Sequence, residues 1–313
     1  MTNRDLPSCC VPSSGADEPT RSPEVRQSIQ ADVVHEECVL SGIFQMGDAF
    51  REGRKDDGEG PLHRVNISSF AIDLVCVTVQ QFAAFVEDTG FVTTAERRGS
   101  SAVFHLAVAA RSDDVLGDLG MPWWLDVCGA DWRHPFGPLS DSEALLDHPV
   151  VHVSHDDARA YCFWAGRALP TEAEWEFAAR GGLDGRRYAW GDELHPSGEH
   201  RANIWQGVFP TFNSGEDGFR ATAPVKAFPP NGHGIYQTAG NVWEWCADWF
   251  DPGYYTVSPT QDPAGPADGA ERVLRGGSYL CHASYCDRYR VSARSRNTPD
   301  ATAGNIGFRT VRR

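Results

Sequence analysis

Arg272-Val-Leu-Arg-Gly-Gly-Ser-Tyr-Leu-Cys281-His-Ala-Ser-Tyr-Cys286-Asp-Arg-Tyr-Arg290 carries two thiols on one short segment, with Arg275, His282, Arg288 and Arg290 close by in sequence. Cationic neighbours favour the thiolate, the form that attacks disulfides and binds soft metals. Gly276 and Gly277 permit a tight backbone path that brings Ser278 and Tyr285 toward the sulfurs. The spacing is wider than the Cys-x-x-Cys of redox motifs, and no second Cys or His pair stands at zinc-site spacing, so tetrahedral zinc is disfavoured. Two thiolates alone suit a low-coordinate soft ion such as Cu(I), or else a reversible disulfide. Two core cysteines that happen to lie near one another would leave the same trace.

Around this segment the chain of 313 residues reads as one globular domain: 41% hydrophobic and 23% charged residues allow a sizeable core. The 31 Gly, 20 Pro and 10 Trp predict a loop-rich fold with aromatic side chains packed between irregular segments. A formal net charge of −15 argues against nucleic acid as a partner and suits a cationic peptide better. No stretch reaches the ~18 apolar residues of a membrane span, and Met1-Thr-Asn-Arg-Asp-Leu lacks the apolar core of a secretion signal, so a cytoplasmic protein is expected. Nine Cys, an odd number scattered along the chain, do not form a disulfide framework, and most should be buried, inert thiols.

Residues 1–36, rich in Ser, Pro, Asp and Glu, read as a flexible tail. It contains the Cys9-Cys10 pair, either a relay for a soft metal or a disulfide, or simply an exposed dithiol. The folded part opens with strand-like runs at Gly42–Gly47 and around Val65, Ile67 and Phe70. Three helices are marked by capping boxes. Thr78 with Gln81 precedes Phe82, Phe85 and Val86 and stops at Gly90; Ser154 with Asp157 precedes Tyr161, Cys162 and Trp164 and stops at Gly166. Thr171 with Glu174 follows Pro170 and runs through Trp175 and Phe177 to Gly181-Gly182. Beyond residue 183 the pattern is short runs between Gly, Pro, Asn and Asp, with no helix longer than about two turns.

Several motifs together resemble the formylglycine-generating enzymes, or sulfatase-modifying factors, over about residues 39–313. They are the thiol segment itself, Ala293-Arg-Ser-x-Asn297-Thr-Pro-Asp300, Gly307-Phe-Arg309, Leu169-Pro-Thr-Glu-Ala-Glu-Trp-Glu, Asn203-Ile-Trp-Gln-Gly, Gly215-Glu-Asp-Gly-Phe219 and Gly240-Asn-Val-Trp-Glu-Trp245. The Cys-His-x-Ser-Tyr-Cys loop is the most particular of these to the enzyme. The resemblance implies a compact, loop-rich α+β fold with little regular secondary structure, distantly related to C-type lectins, and a single catalytic domain over residues 37–313. It also implies an oxidase that uses molecular oxygen to convert the cysteine of a Cys-x-Pro-x-Arg segment in an unfolded sulfatase to Cα-formylglycine, through a thioaldehyde that water hydrolyses. Cys281 and Cys286 would hold Cu(I) as a dithiolate, with the substrate thiolate as a third ligand; Ser278 and Tyr285 would be hydrogen-bonding groups for oxygen or the substrate sulfur.

The resemblance further places a structural calcium ion on Asn203, Asp217 and the carbonyls of Ile204 and Phe219, hard oxygen ligands of the type this ion takes. By itself Gly215-Glu-Asp-Gly reads as a turn. A second calcium site would use Gln237, Gly240, Val242 and Glu244, with Gln237 standing where the family has Asn or Asp. His148, His152 and His155 sit at metal-like intervals, yet His155 opens a helix at a position where the family usually carries Trp. Trp205, Trp243 and Trp245 read as core or cleft wall rather than a sugar platform, Trp123-Trp124 is ambiguous, and Arg294, Asn297 and Asp300 read equally as cleft lining or as solvated or structural polar networks. Three other readings compete: an iron-dependent sulfoxide synthase, which needs a histidine cluster on an added helical bundle; a non-catalytic lectin-like module; and a metal-free dithiol oxidoreductase.

Overall fold

Capping boxes set the start of every α-helix in this computed structural model, which describes residues 33–313. Thr78 opens α1 (Val79–Thr89), accepting from Gln81 N, and Gly90 closes it at a φ of +66°. Thr93 and Glu96 form the same box for α2 (Thr94–Arg98), which the sequence reading passed over. Ser154 opens α3 (His155–Trp164) and Thr171 opens α4 (Glu172–Ala179). Each box satisfies backbone donors that the first helical turn leaves without partners. Past residue 183 the described helical elements are three-residue turns at Pro196–Gly198 and Tyr254–Thr256.

The strands form separate small sheets, which with the helices gives an α+β, loop-rich architecture. In chain order they are β1 (Glu37–Met46), β2 (His63–Asp73), β3 (Ser100–Phe104), β4 (Val115–Asp118), β5 (Trp124–Cys128), β6 (Gly207–Val208), β7 (Phe212–Asn213), β8 (Trp243–Trp249), β9 (Arg272–Arg275), β10 (Arg294–Asn297), β11 (Ile306–Gly307) and β12 (Val311–Arg312). One sheet runs β1-β2-β12, a second β10-β9-β8-β11, a third β3-β5-β4, and β6 pairs with β7. The β3-β5-β4 sheet had no counterpart in the sequence reading. All five residues of β3 are buried, so the alternation that betrays a half-buried strand is missing there. The Cys9-Cys10 pair and most of the expected tail lie outside the described residues. His35 and Glu36, at the end of that segment, already touch the body: His35 meets Asp73, and the Glu36 carbonyl accepts from Leu74 N.

Helix α4 packs on two sheets: Val65, Ile67, Phe70 and Ile72 of β2 meet Ala173 and Ala178, while Cys246 of β8 and Val273 of β9 meet Trp175 and Ala179. Phe82 and Phe85 of α1 meet Tyr161 of α3 and Phe308 in edge and stacked ring contacts. Buried charges run among these elements. Register places Glu244 opposite Arg275, and Arg275 opposite Arg294. Glu172 accepts from Arg275 at 2.9 Å and from Arg294 at 2.6 and 2.9 Å, while Arg275 also reaches Glu176 at 2.6 Å. Arg309 grips Glu244 through two bonds of 2.6 and 2.7 Å. Arg294, which sequence leaves between cleft lining and a structural polar network, is an interior strut of the second kind.

A buried guanidinium stripped of its carboxylate costs about 3–5 kcal/mol. Glu172→Ala leaves Arg294 without its carboxylate, and urea unfolding should show a loss of that size; a loss below about 1 kcal/mol would mean that the pairs do not carry the sheet.

Candidate functional site

The segment that follows β9 closes on itself. Gly276 and Gly277 take φ of +90° and +73°, and a Cβ on Gly277 would come within 2.7 Å of the Arg288 carbonyl. The entrance and exit of the loop thus touch at a point where only glycine fits. Inside it, Cys281 N donates to Ser278 O, and the His282 carbonyl accepts from Tyr285, Cys286 and Asp287 N. Two successive turns carry Cys281 and Cys286 into the main hydrophobic core, which also holds Trp205, Leu280 and Tyr289, and both thiols are fully buried. Trp205 N donates to Cys281 O, tying a neighbouring loop to the pair.

The polar groups expected around the sulfurs are arranged otherwise than sequence proximity suggests. Arg275 is committed to Glu172 and Glu176, Arg288 to Asp57 at 2.7 and 2.9 Å, and Arg290 to Glu59 at 2.7 and 2.8 Å. Burial holds His282 below its usual pKa, and its Nδ1 accepts from Ser284 N. The expectation that these four cations favour the thiolate is corrected: the arginine charges are met by carboxylates. A backbone donor stands nearer, since Ser278 N lies 3.4 Å from Cys281 Sγ. The Ser278 hydroxyl accepts from Leu280 N and from Asn305 Nδ2, so it braces the loop. Burial, then Tyr188, Cys281, Asp287 and Cys286, push the Tyr289 phenol above its usual range.

Tyr285 belongs to an aromatic wall over this cluster. Its ring stacks on Phe209 at 4.5 Å and meets Trp123 edge-on at 5.4 Å, and Arg54 donates to its carbonyl. Phe209, Arg54, Asp57 and Glu59 had no motif to announce them; tertiary folding alone brings them to the loop. Trp123 is thus wall, whereas Trp124, Trp205, Trp243 and Trp245 are core. Chemically the arrangement offers two soft donors in an apolar, aromatic surround, a donor set for a low-coordinate soft ion.

The residues of the first calcium set do converge. Asp217 accepts from Ile204 N and Phe219 N, each at 3.0 Å, and the Gln206 amide nitrogen donates both to Asp217 Oδ2 and to the Ile204 carbonyl. Asn203 Nδ2 donates to Ala221 O and Asn241 Oδ1, which leaves its Oδ1 as a further oxygen at this junction. A carboxylate and a carbonyl gathered around one amide donor, with Asn203 next in the chain, suit a hard cation. The second set differs. Gln237 Oε1 is buried without a hydrogen-bond partner, but the Glu244 carboxylate is engaged by Arg309, Trp175 Nε1 at 2.7 Å and Cys76 Sγ at 3.3 Å. Gln237, Gly240, Val242 and Glu244 therefore present no available carboxylate, and the set does not fit calcium as it stands.

Residues 21–313 match the family described as sulfatase-modifying factor enzyme 1-like domain. A formylglycine-generating enzyme of Streptomyces coelicolor is 65% identical over 269 residues, covering 86% of each chain. One from Thermomonospora curvata is 53% identical over 305 residues, 96% of this chain and 98% of that one. A Bos taurus protein named inactive C-alpha-formylglycine-generating enzyme 2 is 46% identical over 273 residues, 86% of this chain and 84% of its own. Among solved structures, PvdO from Pseudomonas aeruginosa shares the fold, with a TM-score of 0.63 at 24% identity over 94% of this chain and 99% of that one.

The three spaced histidines do not meet as a metal site. His148 pairs with Thr222 Oγ1, His152 lies between Ser101 Oγ and the Pro135 carbonyl, each at 2.8 Å, and His155 faces Trp245. Burial lowers His152 from 6.5 to about 4. A histidine depressed on folding takes its proton in the unfolded chain first, so its stabilisation is present above about pH 6.5 and is lost as pH falls toward 4. The shift corresponds to about 3 kcal/mol. The urea midpoint should fall across that window, and His152→Gln should fall less steeply; equal slopes would contradict the assignment.

Proposed function

This chain belongs to the sulfatase-modifying factor family, and on that premise we propose that it is a copper-dependent oxidase that converts the cysteine of a Cys-x-Pro-x-Arg segment in an unfolded sulfatase to Cα-formylglycine with molecular oxygen. Family membership alone does not carry activity, because one relative bears a name that calls it inactive. The observation that carries it is that Cys281 and Cys286 are both fully buried on one short loop closed by two consecutive turns. Cys281 and Cys286 would hold Cu(I), which when bound supplies a soft centre for the substrate thiol and for oxygen chemistry.

The chain's own groups do the rest. Ser278 N donates toward Cys281 Sγ and favours its thiolate. Both sulfurs are fully covered, so a substrate thiol enters only when a neighbouring side chain shifts. The net charge of −15 assists encounter with a segment that carries Arg. Cytoplasmic conditions, which keep thiols reduced, suit such a pair, and no described helix is long and apolar enough to cross a membrane. Asn203, Ile204, Asp217 and Phe219 would hold a structural calcium ion next to Trp205, the residue that anchors Cys281 O.

Cys281→Ser and Cys286→Ser, each verified as folded, should lose about a hundredfold or more of the turnover of a Cys-x-Pro-x-Arg peptide; the unmutated rate with copper supplied would refute the reading. Dialysis against a calcium chelator should lower the melting midpoint, and Asp217→Ala should melt at one temperature with or without chelator. An unchanged midpoint in the parent protein would rule out bound calcium there.

A further inference from the structure

A cavity of about 400 Å³ opens between α3, the start of β9 and the last residue of the chain. Arg159, Arg167, Arg272 and Arg313 line it, in a protein whose net charge is −15. Two of these are neutralised locally: Arg167 by Asp73 at 2.6 Å and Arg313 by Glu174 at 2.6 Å. Among the described residues Arg159 reaches only Asp156, at 3.8 Å on the surface. Arg272 has no carboxylate within 4.0 Å among the described residues. Its guanidinium lies 3.3 Å from the Trp249 ring centre, Nη1 donates to the Ala247 carbonyl, and Nε is buried without a partner.

His155 forms the cavity's floor. It is 1% exposed beside the Cys246 backbone, and burial, with Arg272 and Arg159 nearby, holds it down at about 3, so the ring adds no charge of its own. Phe163 and Leu169 give the cavity apolar walls, and its volume falls within the roughly 300–1,000 Å³ of small-molecule sites.

We propose that this cavity binds a small organic anion, a carboxylate or sulfate group on a compact apolar body, with the charged head between Arg272 and Arg159 and the body against Phe163 and Leu169. The Arg272 guanidinium would gain the anionic partner it lacks, and Arg159 would close the mouth. The site is separate from the thiol loop and does not depend on the reaction proposed there.

Isothermal titration of the full chain with sodium benzoate, phenyl sulfate and sodium sulfate at fixed ionic strength tests this. Benzoate or phenyl sulfate should bind saturably, one per chain, and inorganic sulfate about tenfold more weakly because it buries no apolar surface. Arg272→Gln should weaken the organic anions about tenfold or more, and His155→Trp, which fills the floor, should abolish binding. Should either interior variant fail to fold, the exposed Arg159→Gln should still weaken binding severalfold. No saturable binding by the parent protein, equal affinity for inorganic sulfate, or folded variants that bind like the parent would each overturn the proposal.

Discussion

Behind the thiol loop stands a set of buried guanidinium–carboxylate pairs, and the rest of the structure depends on them. Arg275 and Arg294 share Glu172, Arg288 holds Asp57, and Arg290 holds Glu59. These pairs join β9, β10 and the loop's exit to α4 and to the segment before β2. Such charges are expensive to bury and pay back only when geometry and hydrogen bonding are complete. Here they are nearly so, with several bidentate contacts, and the consequence is position: each end of the loop is pinned to a different part of the chain.

With its ends pinned, the loop needs only two turns to gather its cysteines. Gly277 lets entrance and exit cross at contact distance, and Trp205 fixes the middle through the Cys281 carbonyl. Trp205 in turn follows Asn203 and Ile204, so a cation held there would stiffen the anchor of the thiol pair from outside. Asn241 connects the same parts, accepting from Asn203 and Ala223 while its carbonyl receives Tyr279 N. A chain with short strands obtains rigidity from such side-chain hubs rather than from long ladders.

Much of this was legible in the sequence where the signal is local. Capping boxes at Thr78, Ser154 and Thr171 gave three helix starts, since cap and partner lie within one turn. The thiol segment announced its chemistry through residue type. What remained hidden was long-range: Asp57 and Glu59 lie 231 residues from the arginines they neutralise, so the cations beside the cysteines in sequence were misread as their electrostatic partners. β3 stayed silent because burial on both faces erases alternation. Glu244, read as a calcium ligand, was drawn off by Arg309, which only the parallel pairing of β11 with β8 brings near.

The central claim is that two sulfurs on one braced loop form a single soft-metal site. X-ray absorption at the copper edge, on the reduced protein loaded with one equivalent of Cu(I), tests it most directly. One ion per chain should appear in a shell of two sulfurs, lost when either Cys281 or Cys286 is replaced. A nitrogen or oxygen shell, or the same sulfur shell in both single replacements, would contradict it.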